Sequence, residues 1–338
     1  MATIKDVAKF ANVSVSTVSR VLNASGYVEK NTEERVLAAI KQLNYKPSQI
    51  ARGLVNKQTK TFGLVLPDIT NPFFPELARG AEDEARLHGY NIMLCNSDWD
   101  IEKEKMYLGI LQEKCVDGII LVGSRLPEAY LAEMLAAFAT PLVLLDRTSS
   151  LEVHSISINN ILSGYLATKH LIEQGYRSIA HIAGTPSPTV EQRLIGYKQA
   201  LAEHDILFDE VLVFQGDYRI SGGATAMQRI LRLRNLPDAV FCDNDLMAIG
   251  ALEALQEAGI KLPEQMALVG CDGISLGKYV CPRLTTIFQP TYKMGSMAVQ
   301  LLFETIHKGE ATAFKHIEME PVLVVRESSP RKHNCQEQ

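Results

Sequence analysis

From Thr61 onward, short β-rich apolar runs alternate with helical stretches, and this alternation restricts the fold of the 338-residue chain more than any other feature. Strand patterns fall at residues 62–66, 91–94, 118–122, 142–145, 155–158, 179–182, 211–214, 239–242, 267–270 and 285–288. Between them, apolar positions recur at helical spacing over 74–88, 102–114, 128–138, 161–174, 190–204, 221–233, 246–258 and 293–307. A strand, a helix and a second strand in succession make a parallel pair, because the helix carries the chain back to the end at which the first strand began. Ten such strands exceed what one small doubly wound sheet holds. The pattern therefore predicts two lobes with a cleft at the carboxyl ends of their strands. A last apolar run at 317–325 would return across both lobes.

Residues 1–46 follow a different rule. Ile4, Val7, Ala8 and Ala11, then Val15, Val18, Val21 and Leu22, then Val36, Ile40 and Leu43 recur at helical intervals with no strand pattern, so three short helices are expected. Asn12-Val13-Ser14 separates the first two; Ser14 is suited to cap a helix from Val15, and Asn31 or Thr32 to cap the third. Pro47 ends that helix. Residues 48–55 keep helical potential, weakened at Gly53 by about 1 kcal/mol relative to Ala. The stretch 47–60 thus reads as a conditional hinge helix and linker.

Charge separates the same two parts. Residues 1–60 hold ten Lys or Arg against four Asp or Glu, and the rest of the chain holds 24 against 35, although the formal charge of the whole is only -5. A basic head on an acidic body suits a phosphate-binding module, the alternative being a solvated helical face. The second helix opens with small hydroxyl residues and carries Arg20 a turn later. That composition suits the major groove, where the first turns of a recognition helix approach base edges and Arg pairs with guanine.

The residues Ala2-Thr3-Ile4-Lys5-Asp6-Val7-Ala8, Ser14 through Asn23, Leu43-Asn44-Tyr45-Lys46-Pro47 and Ala51-Arg52-Gly53-Leu54 resemble the LacI/GalR family of bacterial transcription regulators, and the likeness spans essentially the whole chain. The resemblance implies an all-α helix-turn-helix head at 1–46, the hinge at 47–60 and an α/β periplasmic-binding-protein-like body of two doubly wound parallel-sheet lobes. Its N-terminal lobe would comprise 61–160 with about 291–321, and its C-terminal lobe 161–290 with about 322–330. Residues 331–338 would form a polar tail. The family's pattern makes Val15, Ser16 and Arg20 face bases, Thr17 and Ser19 contact phosphates, and Leu54 wedge into the minor groove at the operator centre, where such a wedge kinks the duplex.

In the body, Asn71-Pro72-Phe73-Phe74 follows the first strand pattern and Asp146-Arg147 ends the fourth. Read locally, the former is a helix cap with two core aromatics and the latter a surface ion pair. Two successive Phe are hard to bury on one face of a strand-to-helix loop, so a stacking platform stands at least level with the core reading. Arg193, Asn244, Asp272 and Gln289 each fall just after a strand pattern or one helix from it. Together, Asn71, Phe73, Phe74, Asp146, Arg147, Arg193, Asn244, Asp272 and Gln289 resemble the hydroxyl-binding and stacking set of ribose-binding proteins, with Tyr218 as an aromatic from the second lobe. Two Asp and two Arg cancel in formal charge and suit a neutral polyol. The runs 66–75 and 145–148 are particularly similar to ribose-operon repressors of Gram-positive bacteria. Ribose or a close pentose or ketose is the implied effector, acting as inducer.

Enzyme signatures are missing: there is no G-x-S-x-G elbow, phosphate loop, G-x-G-x-x-G after the first strand or H-E-x-x-H. The eight His lack metal-ligand spacing, and the six Cys contain no C-x-x-C pair. No catalytic residue, metal site or cofactor is expected, and the thiols should be reduced. Neither a secretory signal nor an apolar run of bilayer length is apparent, so a cytoplasmic protein without membrane association is expected. The expected partners are pseudo-palindromic operator DNA, a small neutral sugar and a second copy of the chain, the tail lacking the heptads of a tetramerising coiled coil. Two rival readings are a carbon-catabolite regulator of the same family, with a phosphorylated carrier protein as corepressor, and a sugar receptor without DNA function.

Overall fold

The computed structural model describes residues 2–23, 25–45, 58–137, 140–147, 149–308 and 313–330. The predicted hinge helix at 48–55, with Leu54, and the tail at 331–338 lie outside the described residues. The chain divides into two compact units, 1–60 and 61–338.

The first unit contains α1 (Ile4–Ala11), α2 (Val15–Asn23) and α3 (Lys30–Gln42). Thr3 and Asp6 cap α1 reciprocally: the Thr3 hydroxyl accepts from the Asp6 amide at 3.3 Å, and the Asp6 carboxylate accepts from the Thr3 amide at 2.8 Å. Asn12, at φ 50°, ends α1 in the left-handed conformation that Asn tolerates. Ser14 caps α2 as expected, its Oγ accepting from Thr17 N at 3.1 Å. The third cap differs from expectation. α3 starts at Lys30, before Asn31 and Thr32, because the Glu29 carbonyl already accepts from Glu33 N at 3.0 Å. Val7, Ala8, Ala11, Val18, Val36 and Ala39 form the small core.

The second unit holds two sheets. In chain order its elements are β1 (Thr61–Leu66), α4 (Phe73–Leu87), β2 (Asn91–Asn96), α5 (Ile101–Glu113), β3 (Gly118–Val122), α6 (Glu128–Ala137), β4 (Leu142–Leu145), β5 (His154–Ile158), α7 (Asn160–Glu173) and β6 (Ile179–Ala183). There follow α8 (Pro188–Ala202), β7 (Val213–Gln215), α9 (Ile220–Ile230), β8 (Ala239–Cys242), α10 (Asp245–Glu257), β9 (Ala267–Asp272), β10 (Thr285–Phe288), α11 (Thr291–Lys308), β11 (His316–Met319) and β12 (Val322–Val324). The first sheet runs β11-β5-β4-β3-β1-β2 and the second β12-β10-β9-β8-β6-β7. Every pairing is parallel except that of β10 with β12. The strand pattern expected at 211–214 begins only at Val213, since the Asp209 carboxylate accepts from Val211 N at 3.0 Å and turns the backbone first.

The chain passes between the lobes three times, after β5, after β10 and between β11 and β12. In each sheet strand order reverses beside the first strand, β1 or β6, which opens a crevice at the carboxyl ends. Three helix pairs are drawn together at glycines. A Cβ on Gly80 of α4 would sit 2.0 Å from Tyr292 O of α11, one on Gly196 of α8 1.9 Å from Ile161 O of α7, and one on Gly250 of α10 1.9 Å from Ile220 O of α9. These crossings fix where the following loops point.

Gly80→Ala should therefore destabilise the body by about 1–3 kcal/mol through overpacking. Gly109→Ala, on α5 with nothing within 4 Å of a new Cβ, should stabilise it by about 0.5–1 kcal/mol through helix propensity. Urea unfolding at constant m checks both, and equal midpoints would show that the crossing is loose.

Candidate functional site

In the head, α2 buries Val18 and turns its opening residues outward. Val15, Ser16 and Arg20 are exposed, and Thr17 and Ser19 are half-buried. Ser14 Oγ lies 2.7 Å from Ser16 Oγ and 2.8 Å from Thr17 Oγ1, so the helix opens on a cluster of hydroxyls suited to phosphate or base edges. An exposed Val beside it matches a thymine methyl in kind. Arg35 serves the fold instead: its guanidinium donates to the Ala11 carbonyl and, at 3.2 Å, to that of Asn12, closing the end of α1.

In the body, all ten expected ligand residues line one cavity of about 510 Å³ between the lobes. Asn71, Phe73 and Phe74 come from the segment after β1, and Asp146 and Arg147 follow β4. From the second lobe, Arg193 lies on α8, Tyr218 follows β7, Asn244 follows β8, Asp272 ends β9 and Gln289 follows β10. Both phenylalanines are buried to 6 % exposure in the first lobe's core, with ring centroids 5.0 Å apart at 80°. Of the two readings of this segment, the core one describes the burial of both rings, and the first turn of α4 that sends them inward still presents them to the cavity. Asn71 Oδ1 accepts from Phe73 N at 3.1 Å.

Arg147 does not pair with its neighbour Asp146. It donates to the Ser124 and Leu126 carbonyls at 3.1 and 2.6 Å. Arg193, 3 % exposed, donates from Nε to Asn160 Oδ1 at 3.0 Å and from its terminal nitrogen to the Asp243 carbonyl. Asp243 is itself held by His181 Nε2 at 2.9 Å and by the Gly184 amide at 2.8 Å. Asn244 caps α10 through Met247 N at 2.9 Å and donates to the Tyr218 carbonyl at 3.0 Å. Gln289 Nε2 donates to Asp272 Oδ1 at 3.1 Å. Asp146 Oδ1 and Gln289 Oε1 are buried acceptors with no hydrogen-bond partner among the described residues. Two such acceptors on a cavity wall ask for donors.

The carboxyls are tuned by their surroundings. Asp146 keeps partial exposure to the cavity, yet the protein around it excludes enough bulk water to push its carboxyl up, against the pull of Arg193 and Asn160. Asp272 lies well above the ordinary range, first because it is buried and second because Asp245 is near, with Arg193 opposing. Burial raises Asp245 to about 7, although Thr286, Ile274 and Gly273 donate hydrogen bonds to it.

The sequence pattern did not single out Trp99, Arg125 or Asn160, which also line the cavity. Asn160 stands two residues beyond β5 and Trp99 three beyond β2, a placement that offered a signal for both but not for the ring contact that gives Trp99 its importance. Trp99 is the single tryptophan of the chain.

A carboxyl whose pKa is raised by folding binds more protons folded than unfolded, so its contribution to stability is complete below the unfolded value and is lost as pH rises through the folded one. His154 and His170, which burial holds below the ordinary imidazole value, act in the opposite sense, adding stability as pH rises until the unfolded imidazoles are neutral, above about pH 7.5. The contribution of Asp245 to the unfolding free energy in urea should therefore be lost mainly between about pH 4 and pH 7, with a slope of at most about 1.4 kcal/mol per pH unit, and the difference between the parent and a non-titrating variant isolates it from the histidines. Asp245→Asn, whose amide does not titrate, should flatten that slope, and an unchanged slope would exclude Asp245 as its source.

A sequence profile for "Bacterial regulatory proteins, lacI family" matches residues 3–48, and one for "Periplasmic binding protein-like domain" matches 168–329. The ribose operon repressor of Halalkalibacterium halodurans is 42% identical over 337 residues, 99% of each chain. The HTH-type transcriptional repressor PurR of Aliivibrio salmonicida is 39% identical over 330 residues, 97% of this chain and 99% of that one. Among solved structures, the lac repressor dimer bound to operator and the anti-inducer ONPF matches with a TM-score of 0.88 at 26% identity, over 98% of this chain and 99% of that one. A LacI family transcriptional regulator from Enterococcus faecium with bound ribose matches at 0.74 and 31% identity, over 80% and 100%. The helix-turn-helix head, the two-lobed body and full-length likeness to repressors place this chain in the lacI family of bacterial regulatory proteins, as a DNA-binding repressor.

Proposed function

We propose that the protein represses transcription from a pseudo-palindromic operator as a homodimer, and that a small neutral sugar, D-ribose first among them, binds the interlobe cavity and releases it from DNA. The observation that carries this reading is the meeting, at the strand ends of both lobes, of the four rings of Phe73, Phe74, Trp99 and Tyr218 with the carboxyls of Asp146 and Asp272 and the guanidiniums of Arg147 and Arg193. Sugar hydroxyls both donate and accept, and a pyranose or furanose face stacks on aromatic rings. The likeness to a ribose operon repressor and to a ribose-bound regulator supports the choice of sugar.

The likeness to repressors named PurR favours a second reading, in which the effector is not a sugar, a nitrogen heterocycle being the class tested below. The unpaired acceptors Asp146 Oδ1 and Gln289 Oε1 call for donors, which sugar hydroxyls and heterocyclic N–H groups both supply, so the choice between the two rests on direct binding. In the head, Val15, Ser16 and Arg20 are assigned to bases and Thr17 and Ser19 to phosphates. Leu54 is carried over from the family resemblance as the minor-groove wedge. A two-fold dimer presents two such helices and so needs two symmetric half-sites, as the lac repressor dimer on operator illustrates.

Asp272→Asn or Arg147→Ala should abolish release of operator by ribose while leaving operator affinity within about twofold, and a variant that still responds would refute the cleft assignment. Calorimetry with ribose, hypoxanthine and guanine separates the two effectors: heat with a purine and none with ribose would favour the second reading. Arg20→Ala should cost about 1–3 kcal/mol against the cognate operator and much less against random duplex. Equal losses on both, in a salt titration, would assign Arg20 to phosphate.

A further inference from the structure

The three passages of chain between the lobes all lie at one side of the body, where β5 and β11 end the first sheet and β10 and β12 end the second. The outermost strands at the other side are β2 and β7. Trp99 stands three residues beyond β2 and Tyr218 three beyond β7. Their rings stack across the cleft, with centroids 5.8 Å apart and planes at 16°. This contact therefore joins the lobes across the strand ends of the cleft, with the Trp99 ring beside Gly123 after β3 and the Tyr218 ring beside Gly184 after β6.

Several features show that the pair is built rather than incidental. Both residues have left-handed backbones, φ 60° for Trp99 and 66° for Tyr218, a conformation unfavourable to bulky side chains and kept only where the surroundings impose it. Gly184 leaves the space for Tyr218, since a Cβ there would fall 2.1 Å from the ring. Arg125 lies over Trp99 with its guanidinium 5.0 Å from the ring centroid, and Phe74 meets Trp99 edge-on at 6.1 Å. Both rings also line the cavity.

We propose that Trp99 and Tyr218 form an aromatic clasp that gates the cleft, so that ligand enters and leaves only when the stack parts. The proposal rests on the reading of the cavity as a ligand site, and it adds Trp99 to that site as a residue governing the rates of exchange. A residue that merely contacts the ligand changes the release rate when removed. A gate slows entry and release alike, so its removal speeds both.

Two measurements on the full chain test this. Trp99 is the single tryptophan, and acrylamide quenching of its fluorescence without ligand reads the stack directly. Tyr218→Leu should raise the quenching constant about twofold or more, as a ring loses the partner covering one face; an unchanged constant overturns the clasp. With radiolabelled D-ribose in rapid filtration, Trp99→Leu should raise association and dissociation rates together, roughly three- to tenfold, the range an aromatic pair supplies. Trp99→Phe, which keeps a ring, should stay closer to the parent. Faster release alone, or unchanged rates, overturns the gate. If the parent protein takes up no ribose, the sugar assignment fails, and the quenching result alone decides the clasp.

Discussion

Arg193 is the charge around which the cleft is organised. A guanidinium removed from water at that depth persists only when hydrogen bonds and opposite charge replace its hydration. Asn160 and the Asp243 carbonyl supply the bonds, while Asp243, Asp272 and, from the first lobe, Asp146 are the acidic neighbours that offset its charge. These groups stand at the ends of β5, β8, β9 and β4, so the site exists only if both sheets deliver their carboxyl ends to one place. The glycine crossing of α7 and α8 is part of that delivery, because it sets the helix bearing Arg193 directly against the one that begins at Asn160.

Such a site is biased toward its ligand in advance. The carboxyls of Asp146 and Asp272 are raised by burial, which means that the protein alone solvates their charged forms poorly. A polyol that donates hydroxyls to them improves that solvation without adding charge, whereas an anion would meet carboxylates that already strain against one another. Because Asp146 belongs to the first lobe and Arg193 and Asp272 to the second, a ligand held by all three gains most when the lobes are together. On the proposed reading, that preference for one arrangement of the body is the free energy available to act on the head.

The alternation of strands and helices was legible because a parallel strand buried on both faces is a continuous apolar run, as in Gly118–Val122 and Leu142–Leu145, bounded by helices of plain 3.6 periodicity. The boundary at 211–214 was missed where a single aspartate, Asp209, captures the backbone, and the start of α3 was misplaced because Glu29 begins a helix with no side-chain cap. The ten cleft positions were legible through resemblance and through their place at strand ends. Trp99 was not, since its importance comes from a partner more than a hundred residues away and from a backbone conformation that composition does not encode. Nor did pattern distinguish Arg35, which holds the end of α1, from the head cations free to meet phosphate.

The most direct test is the reciprocity of the two affinities. Operator affinity should be measured with and without saturating D-ribose, and ribose affinity with and without saturating operator, under one salt condition. If sugar closure of the cleft acts against the DNA-bound state, both affinities fall, and by the same factor. Ribose that binds the body tightly and leaves operator affinity unchanged would contradict the account.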